Sequence, residues 1–257
     1  MYDVEYNKQA DGKAIEYPFA NPGKNPVIAV GDKKYIRHAI KTHYVEVGKD
    51  NYIDIVNKYA SPLYKSGDIL SISEKVIALC QNRVIYKKDI KISGLARFLS
   101  KFVHQTPAGE AVGNPYKMQL AINNAGVIRV LFGAFIAAIT RPFGVKGLFY
   151  KIVGNNVANI DGFCDDAFDD YLEMGILSPE DPDGVCNEIL KKTGVKCMIV
   201  DANDYGVEIL GTCDEIACTN EELMGILKDN PAGQENESTP LILVREINDW
   251  GYFLASV

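Results

Sequence analysis

The segment VKCMIVD, from Val195 to Asp201, constrains this chain more than any other. It is an apolar run of strand length that ends abruptly in a polar cluster, the pattern of a strand covered on both faces inside an α/β sheet. Ligands of open α/β sheets gather beyond the carboxyl ends of such strands, where loops present polar groups to a crevice. The cluster that follows is DANDYG, Asp201 to Gly206. Hard divalent cations take several oxygen ligands, and Asp201, the Asn203 carbonyl and Asp204 supply three within four residues. The same residues also suit an Asx-type turn between two strands, and spacing alone leaves both readings open. An EF-hand does not fit: Thr212 stands at the twelfth position in place of a bidentate Glu, and a strand precedes the loop.

The flanking sequence supplies the partners such a strand needs. Residues 1 to 34 read as an irregular N-terminal lead carrying one short strand, VIAV, and residues 35 to 257 as one continuous unit of two lobes. A second strand is expected from Thr42 to Val47. Asp50 then caps a helix with Ile53, Val56 and Tyr59 inward that ends before Pro62. GDILSISEKVIAL opens with a turn and a strand. Ser93 caps a helix whose Leu95, Phe98, Leu99, Phe102 and Val103 mark a core face, and Met118, Ala121, Ile122 and Ala125 repeat that spacing. Val127 to Thr140 is expected to be a buried helix, being shorter than the roughly 18 to 20 apolar residues of a spanning one and interrupted by Arg129. Pro179 to Gly194 reads as a helix stopped by glycine, Thr219 and Glu222 as a capping box, and Leu241 to Arg245 and Tyr252 to Ala255 as closing strands. The fold class is α+β.

Composition narrows the function. The 257 residues carry 27 Lys and Arg against 34 Asp and Glu, a net charge of -7 that argues against a nucleic-acid partner. Six cysteines without a CxxC pair, beside three histidines, assemble no structural zinc spacing and read as reduced and mostly buried. The N-terminus lacks a basic region followed by an apolar core, so the expected location is cytoplasmic, with no membrane partner. Neither a Walker A pattern nor GxGxxG occurs, and His38, His43 and His104 have no triad spacing. Lys75, within SEK, and Arg129 and Arg141, which bracket the apolar helix, could each set a cation beside phosphates, but singly they are weak signals.

Read in order, GDILSISEKVIALCQNRVI, LARFLSKFVHQTPAG, MQLAINNAGVIRVL, NIDGFC, LSPEDPD, VDANDYGVEILG and LKDNPAGQENESTP resemble the coenzyme F-420 gamma-glutamyl ligases, more narrowly their ligase-like branch. The resemblance covers roughly residues 35 to 246. It implies a two-lobed α+β fold, a homodimer, and a groove that binds GTP with Mn²⁺ or Mg²⁺. The implied reaction joins L-glutamate to a carboxylate through an acyl phosphate. Under this resemblance Asp201 matches the metal-binding aspartate, Gln234 a nucleotide-contacting glutamine, and Glu74 and Lys75 a nucleotide-contacting pair. Thr42 to Val45 match a short nucleotide-contacting segment before Gly48. Asp161, Asn203, Asp204 and Asn230 lie in the matching motifs, the first three as further metal ligands.

The chain also departs from the pattern. Ile128 and Leu131 stand where the classical ligases carry an aspartate and an asparagine that bind metal, and Leu79 replaces a nearby lysine. One metal site as classically built is missing unless Asp161, or the pair Asp165 and Asp166, takes it over. Three functions follow as expectations: the ligase, a nucleotide- and metal-binding homologue without turnover, and a metal-dependent phosphohydrolase on the same scaffold.

Overall fold

A computed structural model describes residues 17–103, 111–145, 147–154, 161–163, 172–203, 206–233 and 237–247. The chain divides into two compact units, one formed by Met1–Asn82 with Pro179–Val257 and the other by Arg83–Ser178.

The first unit begins with β1 (Val27–Val30), which turns through Gly31 and Asp32 into β2 (Lys33–Ile40). The second strand is therefore KKYIRHAI and not Thr42 to Val47, as its sequence suggested. Its four basic residues hide the apolar pattern, and tertiary partners explain why three of them can stand in a sheet. Lys33 Nζ reaches Glu222 Oε1 at 3.1 Å, Arg37 is sealed in by an ion pair with Asp229, and His38 Nδ1 accepts the Phe19 N–H at 2.8 Å. Helix α1 (Tyr52–Ile55) continues into a π-helical turn, Val56–Ala60, that ends before Pro62. Its cap is Asn51, which accepts the Ile53 N–H at 2.8 Å, while Asp50 turns back to the Glu46 N–H and to His43. Strand β3 (Ile69–Ser73) leads directly into α2 (Glu74–Cys80), whose Val76 to Leu79 are all buried.

The second unit opens with β4 (Val84–Tyr86) and α3 (Gly94–Ser100), the latter capped by Ser93 at 3.1 Å from the Ala96 nitrogen. The apolar face read there as core is only partly so: Phe98 and Phe102 are 58% and 62% exposed and meet edge to face, 4.9 Å apart. Helix α4 (Pro115–Ala125) buries Met118, Ala121 and Ile122 as its spacing requires. Gly126, at φ +83°, breaks the path, and α5 (Val127–Thr140) sets off in a new direction. The expectation that α5 is buried is not met, since only Val130 and Gly133 are. Periodicity identifies an apolar face, but whether the chain itself covers that face is a tertiary matter. Gly133 lets α6 (Leu148–Val153) approach, because a Cβ there would lie 3.0 Å from Val153 Cγ2. Strand β5 (Asp161–Gly162) and strand β6 (Met174–Ile176) complete a small antiparallel sheet in the order β4-β6-β5. Asp165, Asp166 and His104 lie outside the described residues.

The chain returns to the first unit through α7 (Pro182–Thr193), with Asp181 as its cap and Gly194 at φ +74° as its stop. Strands β7 (Cys197–Asn203) and β8 (Gly206–Thr212) form an antiparallel hairpin with a register shift between Ile199 and Val200. Helix α8 (Asn220–Leu227) has half of the expected capping box. Thr219 Oγ1 accepts the Glu222 N–H at 3.2 Å, while the Glu222 carboxylate goes to the Tyr35 hydroxyl and Lys33. With β9 (Leu241–Glu246) the sheet reads β1-β2-β9-β3-β7-β8, in which β3 and β7 are the parallel pair. Met198, Val200, Ile242 and Val244 pack on Leu223 and Ile226 of α8, while α2 and α7 pack against β7. Burying each of these side chains contributes about 1.5–3 kcal/mol, so the apolar run at Cys197 to Val200 is the centre of a core built from both faces. The chain is thus of mixed α/β build with a mixed sheet. Cys80, Cys186, Cys197, Cys213 and Cys218 are free; Cys164 and the strand expected at Tyr252 to Ala255 lie outside the described residues. Among the described residues no single helix is long and apolar enough to cross a membrane.

His38 makes this unit acid-sensitive. Burial, and then the charge of Arg245, lower its pKa to about 4, so it folds neutral. The unfolded chain titrates near pH 6.5 and binds the extra proton first. Stability is full above about pH 6.5 and falls by roughly 3 kcal/mol as pH drops towards 4. His38→Asn, which keeps an acceptor for the Phe19 amide but does not titrate, is expected to flatten urea-unfolding stability across that window. An unchanged slope would contradict the assignment.

Candidate functional site

Sheet topology gathers most of the residues singled out above at one end. The parallel register sets Ser73 beside Val200, so Glu74 and Asp201 are the next residues along two adjacent strands. Strand β9 runs antiparallel to β2 and β3, with Leu241 opposite both Ile40 and Ile72, so its start lies at this same end. Two backbone hydrogen bonds close the edge: the Thr42 N–H donates to Ser238 O and the Ser73 N–H to Pro240 O, both at 2.9 Å. Thr42 and Val45, both buried, leave β2 here; Glu74 and Lys75, half-buried, leave β3; Asp201 and Asn203, also half-buried, extend β7. Gln234 and Asp204 lie outside the described residues. Asp161 belongs to the other unit, where its backbone pairs with Ile176.

The loop before β9 is held by buried polar groups. Arg37, 1% exposed, forks onto Asp229, with Nη2 to Oδ2 at 3.0 Å and Nη1 to Oδ1 as a closer contact, and Nη1 also reaches Ile226 O at 2.9 Å. Burial would raise the Asp229 carboxyl, but the hydrogen bonds and charge of Arg37 outweigh it and hold the group below the usual carboxylate range. Asn21, also buried, donates to Pro231 O at 2.9 Å and to Thr239 Oγ1 at 2.7 Å, and Thr239 donates to Ala232 O at 2.8 Å. Asn230 takes a left-handed conformation, φ +46°, and donates to Gly233 O at 2.9 Å. Residues 229–233 and 238–240 are thus each held before β9 begins.

The hairpin supplies the carboxylates. Strand alternation puts Val200 and Ala202 towards α8, so Asp201 lies on the opposite face, directly across from Glu208. Asp201 and Glu208 thus put two carboxylate side chains on one face of the ladder, Asp201 half-buried and Glu208 exposed. Glu208 was missed in the sequence because the register shift that sets it opposite Asp201 has no linear signature. Asn203 Oδ1 accepts the Gly206 N–H at 3.1 Å, so its side chain closes the turn. Among the described residues no three of His, Cys, Asp and Glu gather as a metal centre.

His43, within the Thr42 to Val45 segment, is also bound: Nδ1 meets Tyr59 Oη at 2.7 Å and Nε2 meets Asp50 Oδ1 at 2.9 Å. Both ring nitrogens of His43 are therefore engaged within the fold. Ile128 and Leu131 are exposed on α5, and Leu79 is buried in α2. No protein-family model matches the sequence, and no curated protein matches it.

The clamp is open to test. Asp229→Asn takes the carboxylate from the buried Arg37 and, with Asp229 partly exposed, is expected to cost about 1–2 kcal/mol in urea unfolding. Replacing both partners, Arg37→Met with Asp229→Leu, is expected to recover most of that loss. A double variant no better than Asp229→Asn would contradict the pairing.

Proposed function

We propose that this chain is a GTP- and divalent-metal-dependent ligase that joins an amino acid, L-glutamate on the resemblance above, to a carboxylate substrate. The observation that carries the reading is the convergence of the Thr42 to Val45 segment, Glu74 with Lys75, Asp201 and the loop from Asp229 to Pro240 at one end of one sheet. These are the segments that the resemblance nominates, and they are scattered over the sequence. The two-lobed ligase fold and the homodimer belong to the same proposal.

Each residue has a role in it. Glu74 and Lys75 would contact the nucleotide from the end of β3, with Thr42 and Val45 beside β2 and Gln234 as the further nucleotide-contacting residue the resemblance nominates. Asp201, with Glu208 across the ladder, suits Mn²⁺ or Mg²⁺ by its hard oxygen donors; Asp204 and Asn203 are further candidates. The metal, when bound, neutralises the triphosphate and the charge that develops on the transferred phosphoryl group. In the reaction a carboxylate oxygen of the substrate takes the γ-phosphoryl group and GDP leaves. The amine nitrogen then attacks the acyl carbon, phosphate departs, and the amide forms with loss of a proton.

Binding without turnover is the second reading, favoured by Ile128 and Leu131 in place of metal ligands. Calorimetric titration with GTP, ATP and GDP, with and without Mn²⁺, tests the first claim. The expected result is Mn²⁺-dependent GTP binding that Asp201→Ala weakens by more than the roughly 10- to 100-fold typical of outer-shell changes. Phosphate release that depends on an added amine then marks a ligase; release without amine marks a phosphohydrolase, and binding with no release marks the non-catalytic homologue. No nucleotide binding under any condition would overturn the proposal.

A further inference from the structure

The second unit presents a surface that the proposed chemistry does not use. Along α5, Ile128, Leu131, Phe132, Phe135 and Ile139 recur at helical spacing and are all exposed, Ile128 to 86%, and Phe143 follows just beyond the helix at 82%. A stripe of this kind on one helix exceeds the scattered apolar residues of an ordinary surface. At its start Ala125 to Arg129 and Phe132 line an open apolar depression of about 660 Å³. Three exposed cations, Arg129, Arg141 and Lys151, lie on α5 or within the segments that follow it. From residue 111 to residue 160 the sequence contains Lys117, Arg129, Arg141, Lys146 and Lys151 and no Asp or Glu, although the whole chain carries a net charge of -7.

We infer that the exposed face of α5 docks on the surface of a bilayer containing anionic phospholipid, departing from the expectation that this chain has no membrane partner. A helix with large apolar side chains on one face and cations beside it lies in the headgroup layer, gaining both from apolar burial and from attraction to anionic lipid. Arg129 is positioned for this, since its Nε donates to Ile152 O at 2.6 Å and fixes the exposed guanidinium at the first turn of α5. Docking, not spanning, is the geometry. Fourteen residues of helix rise about 21 Å, short of a hydrocarbon core of about 30 Å. Helix α4, which meets the α5 segment at 119° and would complete a broken span, has its own apolar face committed to the core through Met118, Ala121 and Ile122. A second copy is a poorer occupant: a two-fold interface would lay a face that carries the exposed Arg129, Arg141 and Lys151 against itself.

The test is flotation of the full chain with vesicles of phosphatidylcholine alone and of phosphatidylcholine mixed with phosphatidylserine, beside sedimentation of the chain without lipid. The expected result is partition onto the mixed vesicles at low salt and little onto the neutral ones. Phe132→Ser and Phe135→Ser, exposed sites whose variants are checked for an unchanged thermal transition, are expected to weaken it about tenfold each. Arg129→Gln and Lys151→Gln are expected to weaken it roughly fivefold each. No partition onto either vesicle, or equal partition onto both, overturns the inference. So does a dimer that Phe135→Ser dissociates while vesicle binding is absent.

Discussion

The ion pair between the buried Arg37 and the partly exposed Asp229 is the constraint on which the first unit depends. Arg37 sits in the second strand of a six-stranded sheet, a position that excludes a cation unless its charge is met. Asp229 meets it from the loop that follows α8. The pair fixes where that loop lies, and the loop delivers Leu241 into register with both β2 and β3. The end of the sheet then contains four chain segments at once. A buried ion pair is a weak source of net stability but a strong specifier of arrangement, because removing either partner alone is far worse than removing both.

The central run from Cys197 to Val200 explains why that end is polar. The run spends its apolar residues on cores at both faces, and the half-buried remainder, Asp201 to Asn203, continues the ladder with only Ala202 packed on the α8 side. The register shift at Ile199 and Val200 then sets Asp201 against Glu208.

Much of this was legible in the sequence and some was not, for identifiable reasons. Local chemistry read well: Ser93, Thr219 and Gly194 occupy the cap positions their residue types favour, and α5 begins and ends where its composition says. Tertiary compensation did not read. The strand Lys33–Ile40 was invisible because Glu222, Asp229 and Phe19, remote in sequence, make its basic residues tolerable. The exposure of Phe98, Phe102 and α5 was missed because helical spacing reports that a face is apolar, not what covers it. At the site, Asp201 was visible as the end of an apolar strand; Glu208 depended on a register that only pairing reveals.

The central claim is that the segments meeting at the end of β3 and β7 form one ligand site. Hydrogen–deuterium exchange of the chain with and without GTP and Mn²⁺ tests this most directly, since amides that a ligand orders exchange more slowly. The account predicts joint protection of peptides covering residues 41–46, 73–76, 200–208 and 228–240, with little change along α5. Protection confined to one of these segments, or found mainly elsewhere in the chain, would contradict it.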